Sequence, residues 1–133
     1  MKISRKEAQS KFIVKIEELS GENIYKCYQC GKCSAGCPIV GHMDILPNQI
    51  IRLIQLGSEK EVLDSKTIWL CSSCLQCAAK CPKGVDVAKI MDTLREVLKR
   101  EGVDKVELKK IAEKMWKKLP QQLIVCRFRK SSD

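Results

Sequence analysis

Eight cysteines constrain this chain more than any other feature. Cys27, Cys30, Cys33 and Cys37 read C-x2-C-x2-C-x3-C and are followed by Pro38. Cys71, Cys74, Cys77 and Cys81 repeat the pattern 44 residues later and are followed by Pro82. The segments CYQCGKCSAGCP and CSSCLQCAAKCP agree at every cysteine and at the proline, so a ligand set has been duplicated. A ninth cysteine, Cys126, stands outside both motifs. Nine is an odd number for a fully paired disulfide framework. The opening Met-Lys-Ile-Ser-Arg-Lys-Glu has no apolar stretch of the secretory kind, so the expected compartment is the cytoplasm, where thiols stay reduced.

The spacing has a physical logic. A cubane [4Fe–4S] cluster presents four iron corners, each taking one thiolate. Three thiolates separated by two residues wrap one side of the cube on a single turn of backbone. The fourth corner faces away, and in the bacterial-type run the fourth cysteine serves the other cluster of a pair. The reading is therefore two [4Fe–4S] clusters with crossed ligation. Cys27, Cys30, Cys33 and Cys81 hold the first, and Cys71, Cys74, Cys77 and Cys37 hold the second. The competing uses are zinc and disulfides, but structural zinc sites usually pair two C-x2-4-C knuckles, which suits this run poorly. Pro38 and Pro82 turn the chain away past the last ligand. Gly31, Gly36, Ala78 and Ala79 are small enough to let backbone N–H groups approach cluster sulfur, a contact that tunes reduction potential.

The rest of the chain reads as helices. Ser4 and Glu7 suggest a capping box, with Ala8, Phe12, Ile16 and Leu19 at helical spacing before Gly21. Pro47 opens a second helix whose apolar face is Ile50, Ile51, Leu53 and Ile54, closed by Gly57. Ser58 and Glu61 suggest a cap for a short helix through Val62 and Leu63, and Ile68, Trp69 and Leu70 lead into the second motif. Asp86 caps a helix striped by Val87, Ile90, Met91, Leu94, Val97 and Leu98 and closed by Gly102. Asp104 and Glu107 pair ahead of a last helix lined by Val106, Ile111, Met115, Trp116 and Leu119, up to Pro120. No stretch alternates with period two, which sets the chain apart from small βαβ ferredoxins. The expectation is an all-α fold: an α-helical ferredoxin with two [4Fe–4S] clusters and flanking helices. Its parts would be an N-terminal helix over 1–26, a dicluster domain over 27–102 and a basic C-terminal helix and tail over 103–133. Met91, Met115 and Trp116 read as core, and Tyr28 and Trp69 as packing that shields neighbouring ligands.

The segment from Tyr25 to Gly102, with CYQCGKCSAGCPI, LPNQIIRLIQLG and TIWLCSSCLQCAAKCPKGVDV, resembles the C subunit (HdrC) of the archaeal CoB–CoM heterodisulfide reductase. The cysteine motifs alone are shared with many dicluster proteins, including the iron–sulfur subunits of succinate dehydrogenase and fumarate reductase. The linking helix and the TIWLC approach carry the narrower resemblance. It implies the non-catalytic electron-transfer subunit of an oxidoreductase complex of methanogenesis. Electrons would pass from a flavin-containing HdrA-like subunit to an HdrB-like catalytic subunit that reduces the disulfide. No CCG motif and no glycine-rich nucleotide fingerprint occurs here, so neither partner's cofactor is expected on this chain. A free-standing soluble ferredoxin and the C subunit of a related sulfur-oxidation complex are the alternatives.

Cubanes with four thiolates leave no iron open to substrate, so no catalytic residue is expected. His42 is the lone histidine and reads as a surface or packing residue, Asp44 and Asp86 as caps, and Cys126 as a free buried thiol. The chain carries a net charge of +9. Two oxidised clusters at about −2 each would bring that to roughly +5. The excess lies at the end, where residues 99–133 hold 11 basic and 5 acidic side chains. Aromatic residues are few and no nucleic-acid motif accompanies the lysines, so an acidic partner subunit or a solvated face is expected rather than nucleic acid. No apolar run reaches the roughly 18–20 residues of a membrane span.

Overall fold

The computed structural model describes residues 11–102, 118–122 and 125. Over them the chain is helical with no strand, as expected. Its α-helices are α1 (Lys11–Ser20), α2 (Lys32–Ala35), α3 (Pro47–Gln55), α4 (Glu59–Leu63), α5 (Thr67–Leu70), α6 (Gln76–Lys80) and α7 (Val87–Arg100). Short 3₁₀ turns occupy Ile24–Lys26 and Val40–His42. The chain divides into two compact units, Met1–Gly102 and Val103–Asp133. The helix expected from Asp104 onward, with Met115 and Trp116, lies outside the described residues, as do Ser4, Glu7, Ala8 and Cys126.

Helix α3 begins at Pro47 because proline has the right φ and no N–H to leave unpaired in the first turn. The Leu46 N–H donates to Gln49 Oε1 at 3.0 Å, which supplies half of a capping box. At the other end the Gly57 N–H donates to the Ile54 carbonyl at 2.9 Å and the Ser58 N–H to the Leu53 carbonyl at 3.0 Å. That is a Schellman stop, and Gly57, at φ +73°, takes the left-handed conformation it requires. Ile50, Ile51 and Ile54 are fully buried, and Leu53 packs at the edge of the core. At α7, the Asp86 carboxylate accepts the Lys89 N–H at 3.1 Å, the cap expected of it. The whole stripe from Val87 to Leu98 is buried.

Two expectations fail locally. In α1 the buried face is Phe12, Ile13, Ile16 and Ser20, whereas Leu19 is 39% exposed. The stripe is shifted by one position: Ile13 joins it at one end, and at the other Ser20 is buried where Leu19 was expected. Ser58 occupies the residue before α4, but its side chain makes no capping hydrogen bond there.

Helices α1, α3 and α7 supply most of the core, joined by Ile24, Val62, Ile68 and Val85. Each fully buried isoleucine contributes roughly 1.5–3 kcal/mol through removal of apolar surface from water. Helix α1 packs on α7, α5 on α7, α3 on the Ile24–Lys26 turn, and α2 on α6. The two cysteine segments are thereby laid against each other and against this core.

Candidate metal centre

The motifs share a backbone as well as a spacing. Gln29 and Gly31 in the first have φ of +63° and +76°, and Ser73 and Leu75, at the corresponding positions of the second, have +53° and +62°. The two loops thus take the left-handed conformation at the same two places around their second cysteine. Three of the four are not glycine, and each such residue costs about 1–2 kcal/mol. Strain repeated at equivalent positions marks a conformation imposed by what the segment must surround.

Each motif is tied to the core in the same way. The Gln55 Nε2 donates to the carbonyls of Ile24 and Cys27, both at 3.0 Å. The Arg95 Nε donates to the Ile68 carbonyl at 2.6 Å, and its Nη2 to the Cys71 carbonyl. Ile24 and Ile68 stand three residues before the first cysteine of their motifs, so the two anchors hold matching atoms. Gln55 comes from the end of α3 and Arg95 from α7. Neither was singled out from sequence. Both lie on a helix far along the chain from the motif they hold, and only their polarity beside buried isoleucines hinted at a task.

The cysteines gather in two cavities. One is lined by Cys27, Cys30, Cys33 and Cys81 together with Gly31, Asn48, Val85 and Val87. The other is lined by Cys37, Cys71, Cys74 and Cys77, with Met43, Pro47, Val87 and Met91 among its apolar walls. Each takes three cysteines from one motif and the last cysteine of the other. Val87, 3% exposed, lines both and forms a shared wall. Among the described residues, no three His, Cys, Asp or Glu side chains close on a single-ion position. Four ligands to one zinc would each sit about 2.3 Å from a common point.

Donors surround the sulfurs. The Val85 N–H points at Cys81 Sγ at 3.3 Å, and Gln29 Nε2 at Cys27 Sγ at 3.4 Å. Gln29 is held in turn by Asn48 Nδ2 at 3.3 Å, and the Ser34 hydroxyl donates to Asn48 Oδ1 at 2.6 Å. Burial pushes the Cys33 and Cys77 thiols up, whereas the Lys32 backbone N–H draws the Cys30 thiol down. Thiolates at the two buried positions therefore need a cationic partner to offset lost solvation. Cys30 and Cys74 are exposed, so each cavity brings one sulfur to the surface.

The remaining candidates divide. Gly31 lines a cavity, but Ala79 is exposed and Gly36 lies under the Lys80 side chain. Met91 is core, 1% exposed, and also cavity wall. Trp69 is half-buried against the core, whereas Tyr28 is 57% exposed with its hydroxyl toward the Cys30 thiol. His42 is exposed in its 3₁₀ turn. Asp44 is a cap, but of distant α5. It accepts the Ser65 hydroxyl at 3.0 Å, the Lys66 N–H at 2.9 Å, the Thr67 N–H at 3.0 Å and the Thr67 hydroxyl at 2.8 Å. Desolvation opposes its charge, yet these donors outweigh it and hold the carboxyl well below the usual carboxylate range.

Comparison with known proteins agrees with this geometry. Residues 23–85 match the family described as the 4Fe-4S dicluster domain. The chain is 33% identical over 86 residues to an iron–sulfur C subunit (the second of its kind) of CoB–CoM heterodisulfide reductase from Methanocaldococcus jannaschii, covering 62% of this chain and 46% of that protein. It is 36% identical over 78 residues to the C subunit of the ferredoxin:CoB-CoM heterodisulfide reductase of Methanosarcina acetivorans, covering 59% and 31%. The corresponding protein of Methanopyrus kandleri is 33% identical over 86 residues, covering 65% and 45%. The matched stretch thus spans less than half the length of each of these relatives. Residues 23–85 are thus similar to the 4Fe–4S dicluster domain and to the heterodisulfide reductase C subunits, and the eight motif cysteines fit two [4Fe–4S] clusters as cofactors.

Proposed function

We propose that this chain is the electron-transfer subunit of a heterodisulfide reductase-type complex, relaying electrons from a flavin-containing HdrA-like subunit to an HdrB-like catalytic subunit. The observation that carries the reading is the pair of adjoining four-cysteine cavities with one shared wall. Cys27, Cys30, Cys33 and Cys81 are the ligands of the first cluster, and Cys71, Cys74, Cys77 and Cys37 of the second. The crossed sets are supported by the membership of the two cavities. Residues 27–102 act as the redox domain, and 1–26 and 103–133 flank it.

The clusters supply one-electron couples. The protein's part is to bind them, keep water from them and set their potentials. With four thiolates per cluster no iron is left open, so the chain makes and breaks no substrate bond. Val85, Val87 and Met91 exclude water, and the N–H of Val85 and the amide of Gln29 place hydrogen bonds on ligand sulfur, which favours the reduced cluster. The relatives are named for the heterodisulfide, and the same substrate is assigned to the complex in which this chain would serve.

Anaerobic purification tests the reading. A brown protein with about eight irons per chain, co-purifying with larger subunits from its native host, is the expected result. The isolated chain should reduce no disulfide with an artificial donor. A colourless, iron-free preparation would end the proposal. A brown monomer without partners would leave a free-standing ferredoxin instead.

A further inference from the structure

The exposed sulfurs of the two cavities lie in chemically different surroundings. Beside Cys30, Tyr28 is 57% exposed, its hydroxyl within hydrogen-bond reach of the thiol, and Lys83 Nζ stands 5.9 Å from its ring centroid. Lys32 lies two residues beyond Cys30. Between Lys32 and Lys80 runs an open groove floored by Ala35 and Gly36. Lys80 comes from α6 and lies across Gly36, a position where any Cβ would meet it. Lys32, Lys80 and Lys83 are all exposed and make no ion pair among the described residues. Beside Cys74, in contrast, the neighbours are Ser72, Leu75 and Gln76, and Leu70 is 39% exposed nearby in sequence. Ser73, the residue before Cys74, donates to Asp92, whose charge is neutralised by Arg95 at 3.0 Å.

Among the described residues these three ammonium groups have no carboxylate partner; Lys32 and Lys80 flank the groove beside the Cys30 loop and Lys83 stands over Tyr28, and an anionic visitor would complete their pairing. We propose that the Cys30 face is the docking site for an acidic surface of a redox-partner protein, with Lys32, Lys80 and Lys83 as the steering charges and Tyr28 as the contact beside the exposed sulfur. The occupant is a protein carrying clustered carboxylates around its own redox centre. The inference rests on the relay reading, because a port matters only if electrons cross it. Charge complementarity of this kind raises association rates by about 10–1,000-fold and weakens steeply with salt. The Cys74 face lacks such charge and would not respond to salt in this way.

Stopped-flow oxidation of the reduced, cluster-loaded full chain tests this. The oxidants are an acidic flavodoxin in its oxidised form, the anionic complex tris(oxalato)cobaltate(III), and the cationic hexaamminecobalt(III). Each takes one electron from a reduced cluster, cobalt(III) becoming cobalt(II) and the flavin its one-electron-reduced form. The triple variant Lys32→Glu/Lys80→Glu/Lys83→Glu is compared with the charge-matched remote variant Lys11→Glu/Lys60→Glu/Lys66→Glu. The expected result is that the port variant slows the flavodoxin reaction about tenfold or more at low salt, abolishes its salt dependence and speeds the cationic oxidant. The remote variant should change these rates far less. Equal effects of the two variants would overturn the proposal, since only net charge would then matter. A response confined to the small anion, competed away by inorganic phosphate, would also overturn it in favour of a simple anion groove. A chain that loads no iron would sink the relay reading itself, a failure distinct from both.

Discussion

The two cysteine motifs solve one problem with different residues. Both wrap their first three cysteines in a backbone with left-handed positions two and four residues after the first cysteine. Both tie the first cysteine's carbonyl, and that of an isoleucine three residues earlier, to a polar side chain from a long helix. The first half uses neutral, buried Gln55, whereas the second uses Arg95, a charge balanced by Asp92 and 20% exposed. The first half meets its left-handed position with Gly31 and the second with Leu75. The turn leading into the first motif is capped locally by Asn23, which accepts the Tyr25 N–H at 3.0 Å, whereas the helix leading into the second is capped from a distance by Asp44. Backbone geometry is therefore what the duplication preserves, because it places the sulfurs. The side chains that hold that geometry were free to diverge, since any donor of the right reach satisfies a carbonyl.

The largest expected effect breaks the symmetry by crossing it. Replacing Cys37 with Ser should remove the cluster built mainly by Cys71, Cys74 and Cys77, leaving the other, as resolved by EPR of the reduced protein. Loss of the first-motif cluster alone would overturn the crossed assignment. Next come the anchors. Arg95→Ala leaves the Ile68 and Cys71 carbonyls without their charged donor and should cost about 2–3 kcal/mol of stability in denaturant titration. Gln55→Ala should cost about 1–2 kcal/mol, because its bonds are neutral. If the order is reversed, the charged anchor is not the stronger one.

Asp44→Asn probes the charged, long-range cap of the second half, where the first half uses neutral Asn23 next in sequence. The folded carboxyl is held below its ordinary value, so its stabilisation is complete above the unfolded value of about 3.9 and is lost as pH falls through the folded one. The wild-type protein should therefore melt higher than the variant at pH 7, with the gap narrowing below about pH 5. A gap that is constant down to pH 3 would show that the charge is not responsible. The smallest effect belongs to Leu75→Gly. It copies the first half's solution and should change stability by no more than about 1 kcal/mol, relief of left-handed strain opposing the added freedom of the unfolded chain. Gly31→Ala should be destabilising by a similar amount, which makes the pair a measure of how far the two turns are equivalent.

Much of this was legible in the chain. Pro47, Gly57, Asp86 and Gly102 mark helix ends by local rules, and each behaves as those rules require. The long apolar stripe of α7 is buried throughout because 14 residues average out the error of any single one. Over the 10 residues of α1 the same periodicity was ambiguous by one position, and Ser20 took the buried place expected for Leu19. Ser58 had the right type and place for a cap, but a hydroxyl gains as much from water. Tyr28 looked like a shield from its neighbours in sequence, yet its exposure is decided by what packs above it.

The cysteine spacing by itself determined the cofactor chemistry, since three thiolates two residues apart match one face of a four-iron cube and little else. Capping and periodicity determined that helices would carry those motifs. Only the tertiary structure decided which residues hold the motifs in place. Gln55, Arg95, Asp44 and Asn48 act on partners 14 to 31 residues away in the chain. Such bonds depend on where two helices come to rest. Local sequence rules describe a residue's neighbours along the backbone, whereas a hydrogen bond to a distant carbonyl is set by core packing that brings the two within about 3 Å.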